Sequence, residues 1–355
     1  MENFKANGFP LLIGSLPMEN HEEAVRLVLD HTPDIPLWVQ LPIYREEGMI
    51  EQFLPGLPGF SDQSKKNILD TSRPEFDEEF VSYFEDYISV TESSSNLKDS
   101  RFSLSGKRGK GFFEFLKQID KKESPFIALK GQVTGPVTFG IGVKDENDRD
   151  IFYNDQLKDA AIKRLAMNAR WQANEFSKRN ATPIIFLDEP ALAGFGTSAY
   201  ITITKEDVTQ AIEEIVTEIH AENGLAGVHV CANTEWDMLL GSTIDIISFD
   251  AFSFFDKFIL YPDMIKTYFE KGKILAWGIV PTHKAEVIAT QTTEGLVQLL
   301  HGQMNTLSDK TGIDKKTIIS QSFITPSCGT GSLDFDSAKK VLKLTKEVSS
   351  VLRQG

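Results

Sequence analysis

Cysteine is scarce in this chain, with two among 355 residues. A disulfide framework therefore cannot be the basis of the fold. Long apolar runs are missing as well. No stretch reaches the roughly 18 uninterrupted apolar residues of a membrane span, and the opening MENFKANGF lacks the apolar core of a signal peptide. A cytoplasmic location with no membrane partner is expected. There glutathione and thioredoxin keep thiols reduced, so a bond between Cys231 and Cys328 is not expected. Positive charge is in deficit: 37 Lys and Arg face 51 Asp and Glu, a formal net charge of -14. That balance argues against nucleic acid or an anionic membrane surface as the main partner.

What is present fits a large globular protein. A hydrophobic content of 41% and a charged content of 25% are ordinary for such a chain, and 355 residues suffice for one barrel-sized domain or two smaller ones. Short apolar, β-branched runs recur at Pro10–Gly14, Leu37–Leu41, Phe126–Lys130, Pro183–Leu187, Gly227–Val230, Ile244–Phe249, Ile274–Gly278 and Thr317–Gln321. Between them lie amphipathic stretches of helical length, such as His21–Leu29, Asp155–Lys178, Thr204–Ala221 and Asp334–Leu352. Thr204 with Asp207 three residues on has the pattern of a capping box. Eight such units predict a parallel (β/α)8 TIM barrel, a single domain over residues 1–355. A doubly wound open sheet is the alternative. Residues 43–124 break the alternation and read as a long excursion over the barrel mouth, inserted after the second strand. Within it Pro74–Tyr87 has the pattern of an acidic helix, and Ser89–Ser105 looks polar and loop-like. The basic, glycine-rich Gly106–Gly111 reads as a solvated connection.

A barrel of this kind carries its active site at the C-terminal ends of its strands. The predicted ends hold Ser15, Gln40, Gln132, Asp188, His229, Cys231, Asp250, His283 and Cys328. His229 and Cys231 stand at i, i+2 in an extended run, so their side chains point to the same side. With Cys328 they form a soft donor set suited to Zn²⁺. Asp250, after the next strand, is the candidate fourth ligand; the alternative is that its carboxylate bonds a helix N-terminus. Two sulfur ligands suit delivery of a thiol better than hydrolysis. The Asp188-Glu189 pair follows the apolar Ile-Ile-Phe-Leu run and can bind an amine or serve as acid and base. Adjacent strand residues diverge, so one of the two should face the pocket. His283 ends the seventh predicted strand, where it can donate a proton or play a structural part. Lys130 to Thr138 form a Gly- and Pro-containing turn that lets backbone approach a ligand.

In combination these residues resemble the catalytic domain of cobalamin-independent methionine synthase, a family grouped with uroporphyrinogen decarboxylase-like and corrinoid-linked methyltransferases. The resemblance runs from Ile13-Gly14-Ser15 to Cys328-Gly329. It implies zinc on His229, Cys231 and Cys328, with Asp250 where the synthase has Glu. It also implies homocysteine held by its amine at Asp188 in the Leu187–Leu192 motif, and by Ile13 and Ser15. Glu189 and Gln132 join these as substrate residues, and His283 and Asp188 as catalytic residues. Two departures stand out. The full-length synthase is about twice this size, and the tryptophan that follows its Gly-Pro-Val-Thr motif is absent after Val133–Thr138. Loss of an aromatic platform weakens binding of a flat pterin. The expected activity is thus zinc-dependent methyl transfer to a small-molecule thiol, homocysteine, giving methionine. A methylcorrinoid or corrinoid protein is expected as donor ahead of methyltetrahydrofolate. The competing expectations are a uroporphyrinogen decarboxylase-like enzyme and a non-catalytic corrinoid- or thiol-binding barrel.

Overall fold

Five of the apolar runs, joined by a sixth strand that sequence did not mark, form one parallel sheet: β1 (Ala128–Thr134), β2 (Thr182–Asp188), β3 (Leu225–Val230), β4 (Ile246–Phe249), β5 (Ile274–Val280) and β6 (Ser322–Pro326). They pair in chain order. The structure, a computed structural model, describes residues 4–63, 66–196, 200 and 202–354. Parallel strands covered on both faces bury nearly every residue, which is why they read as continuous apolar runs. Alternation along the strands sorts their side chains into two sets. Ala128, Ile184, Phe186, Leu225, Ile246, Ile274, Ala276 and Phe323 converge with Leu11 and Ile13 in an inner cluster. The other set packs outward against the helices. Convergence of alternate residues from the whole sheet requires that it curl. At Gly227 a Cβ would lie 2.3 Å from the ring of Phe186, so only bare backbone lets that ring fill the inner floor.

The first two expected strands, Pro10–Gly14 and Leu37–Leu41, form no regular ladder. They run as extended segments joined by isolated parallel bridges, Pro10 to Ile324, Ser15 to Gln40 and Leu37 to Lys130. Their hydrogen bonds link both sheet edges: Leu11 N donates to Ile324 O at 2.9 Å, Gln40 N to Gly14 O at 3.0 Å, and Lys130 N to Pro36 O at 2.9 Å. The eighth expected strand, Thr317–Gln321, is wrong. Lys315–Ser320 is a helix, started by Asp314, whose Oδ1 accepts from Thr317 N at 2.9 Å. The strand follows it, as β6. A side-chain cap outweighs the β preference of Thr-Ile-Ile here.

The other expected helices form with small shifts at their ends, as His21–His31, Asp155–Ser177, Lys205–Ala221 and Phe335–Gln354. Thr204 and Asp207 complete the capping box. In the stretch 43–124, Phe76–Glu92 and Lys110–Ile119 are helical, so the first residues of Ser89–Ser105 belong to a helix and not to a loop. This stretch is tied to the long helix Asp155–Ser177. Arg164 Nε donates to Pro55 O at 2.9 Å, Asn168 Nδ2 to Phe102 O at 2.7 Å, and the Tyr83 hydroxyl to Ala160 O at 2.7 Å.

Candidate metal and substrate site

Strand register builds the site. Thr134 pairs with Asp188, Asp188 with His229, and His229 with Ser248, a single row across the C-terminal ends of β1 to β4. The row places the Ser248 hydroxyl 3.0 Å from Nδ1 of His229. Nε2 of His229 is buried and has no hydrogen-bond partner. A ring nitrogen of His229 and the sulfurs of Cys231 and Cys328 lie within 4.8 Å of one another. A buried imidazole oriented through one nitrogen and unpaired at the other, beside two sulfurs, fits a soft divalent ion such as zinc. Burial pushes His229 down to about 3, helped by the Lys130 charge, so the imidazole is neutral as a ligand must be. A hydrogen bond between the thiols draws Cys231 down to about 7 and raises Cys328.

The trio lies on a cavity of about 400 Å³ whose wall includes Ile13, Ser15, Gln40, Met49, Asp188 and Pro190. The loop after β6 is stitched to the N-terminal segment, since Ser15 O accepts from Thr330 N at 3.0 Å and Ser15 Oγ from Gly331 N at 3.2 Å. Those bonds hold Cys328 beside Ile13 and Ser15. Asp188 Oδ1 is buried without a partner, and burial pushes this carboxyl up to about 6 against the opposing Lys130 charge.

Several expected residues lie elsewhere. Glu189 is turned away from the cavity, as strand alternation requires for a neighbour of Asp188. It accepts from Val137 N at 2.8 Å, Thr138 N at 3.0 Å and the Thr138 hydroxyl at 2.6 Å, capping the helix Pro136–Gly142. Burial still pushes it up to about 7. Gly135 is required there: a Cβ would lie 2.0 Å from Glu189 Cγ. Asp250 stays outside the trio and caps the helix Ala251–Phe258, accepting from Ser253 N at 2.8 Å. Burial raises its pKa. Gln132 is buried, with Nε2 on Trp38 O at 3.2 Å and Oε1 unpaired. His283 is exposed and does not line the cavity, and its ring lies 6.4 Å from that of Phe252. The sequence reading missed Ser248, two residues before Asp250 on one strand face, and gave Lys130 no role although it is a charge inside an apolar run.

No protein-family model matches the chain. Its sequence is 25% identical over 268 residues to the methionine synthase of Methanocaldococcus jannaschii, covering 72% of this chain and 79% of that one. Its fold is similar to a B12-independent methionine synthase from Shewanella sp. W3-18-1 solved with selenomethionine, at TM-score 0.59 and 16% identity over 98% of each chain. A methyltransferase from Methanosarcina mazei aligns over 67% of this chain and 64% of its own, at 16% identity and TM-score 0.41. Curled parallel sheet, soft-donor pocket and sequence kinship define the class, an α/β enzyme of the methyltransferase type. In sequence it is similar to a methionine synthase, and in fold to a B12-independent one.

Proposed function

We propose that this enzyme methylates a thiol, homocysteine giving methionine, with zinc held by His229, Cys231 and Cys328. One observation carries the reading: the unpaired, buried Nε2 of His229 beside two thiol sulfurs on the cavity wall. Zinc, when bound, supplies a Lewis acid that holds a substrate thiol as thiolate at neutral pH. The chain's residues do the rest. Asp188 offers an unpaired carboxylate oxygen to the substrate amine. Ser15 lines the cavity from the N-terminal segment and positions the amino-acid end. The inner cluster of Phe186 and Ile184 closes the floor against water. A bond forms between sulfur and the methyl carbon while the methyl's bond to its donor breaks, and that electron pair leaves with the donor. His283, exposed just beyond β5, supplies the proton to the departing donor.

The sheet with its two bridged edge segments is read here as a closed barrel of eight strand positions in one domain. Residues 43–124 cover part of its mouth, a role supported by Met49 on the cavity wall. The donor is a methylated carrier. Likeness to a B12-independent synthase gives the methylcorrinoid expectation no support, and the missing tryptophan gives folate none. A decarboxylase of the porphyrinogen type would leave two thiols and an oriented imidazole idle. The test measures methyl transfer to homocysteine from methylcobalamin and from methyltetrahydrofolate, before and after chelation. Turnover that depends on one donor and on zinc is expected; full activity after complete zinc removal sinks the mechanism.

A further inference from the structure

Lys130 is fully buried, and its Nζ has no hydrogen-bond partner. The ammonium lies 4.4 Å from the centre of the Phe186 ring, on the next strand. Phe186 and Asp188 are two residues apart on β2 and point to the same interior side. The carboxylate therefore stands one layer above the ring that seats the ammonium. Asp188 Oδ1 is unpaired too, as is Oε1 of Gln132, two residues beyond Lys130 on β1. An isolated charge is costly in such an interior, and each of these two offsets the cost of the other. The aromatic face beneath Lys130 contributes further. For packing alone, an apolar chain of similar length would serve equally well or better. The charge therefore needs another reason, and Asp188, on the cavity wall, supplies it.

We propose that Lys130 is a positioning residue whose buried ammonium is the counter-charge that fixes the Asp188 carboxylate to receive the amine of the thiol substrate. The inference rests on the function proposed above and deepens it, because it assigns amine recognition to a two-strand charge pair and not to Asp188 alone. Lys130 touches neither the substrate nor the trio's sulfurs in this assignment; it acts through Asp188.

The test uses zinc-loaded full-length protein, with Lys130→Met removing the charge at nearly constant volume and Lys130→Gln as a second uncharged variant. Calorimetry follows binding of homocysteine and of 4-sulfanylbutanoic acid, which keeps the thiol and carboxylate but lacks the amine. Metal content and the thermal transition are read alongside. Removing one partner of a buried pair is expected to weaken homocysteine binding and raise its KM about tenfold or more, with kcat changed less than about threefold. Affinity for 4-sulfanylbutanoic acid should stay within about twofold, and zinc at full stoichiometry. Lys130→Met should add nothing in an Asp188→Asn background. Wild-type affinity for homocysteine in both uncharged variants, or an equal loss for both ligands, overturns the assignment. Wild-type protein that binds zinc but neither ligand sinks the functional reading itself, an outcome seen before any variant is compared.

Discussion

Ser248→Ala probes the proposed metal centre without touching a candidate ligand. Ser248 is fully buried, and its hydroxyl lies 3.0 Å from Nδ1 of His229. Removing one oxygen leaves the strand and the packing in place. One buried hydrogen bond is lost, which costs about 1 kcal/mol of stability. The larger effect falls on the ring. With Nδ1 unheld, His229 is free to rotate about χ2, and its Nε2 spends less time aimed at the two sulfurs. Loss of such an orienting partner weakens metal binding by about 10- to 100-fold. At 1.4 kcal/mol per factor of ten, that is roughly 1.4 to 2.8 kcal/mol. Zinc affinity is measured by competition with a chromophoric chelator, and folding by thermal unfolding. A weakened affinity with a nearly normal melting transition is expected. Affinity within about twofold of wild type would refute the argument, since it would mean either that His229 does not bind the ion or that its ring is held by something else.

Three further outcomes follow from the same geometry. Cys328→Ser should lose bound zinc and methyl transfer together; retention of one zinc per chain, read by elemental analysis, excludes Cys328 as a ligand. Asp250→Ala removes a helix cap and should lower stability by about 1 kcal/mol while leaving zinc stoichiometry unchanged, and loss of zinc would restore Asp250 as a ligand. Gly135→Ala puts a Cβ 2.0 Å from Glu189 Cγ, so it should destabilise the fold by at least 1–3 kcal/mol. A melting temperature equal to wild type would show that Glu189 can move aside at no cost.

The parts of the fold that were legible in sequence are those where burial on both faces leaves an unbroken apolar run, as in β2 and β5. At Thr317–Gln321 the composition misled, because three β-branched residues sit directly behind an Asp that starts a helix. The segments at Pro10 and Leu37 carry the right pattern, yet they hold on by single bridges, and pattern does not report how many ladder bonds form. In the site, alternation alone gave His229 and Cys231 a common face, and it turned Glu189 away once Asp188 faced inward. Asp250 shows the limit of residue type as a guide. A carboxylate at a strand end serves a helix N-terminus as readily as a metal, and only geometry separates the two. Lys130 was invisible as a functional residue because its partner depends on which residue of β2 stands beside it.

The clasp between Ser15 and Thr330 joins residues 315 positions apart. During synthesis, which runs from the N-terminus, Ser15, Asp188 and His229 exist long before Cys328 emerges. Until then the site has one sulfur, no closing loop and an open wall. In the proposed metal site all three candidate ligands are therefore together only once residue 331 has been made and the Ser15–Thr330 clasp has formed. A chain cut short before that point would lack its third ligand and the clasp, leaving Cys231 unpaired and open to oxidants or to stray metals.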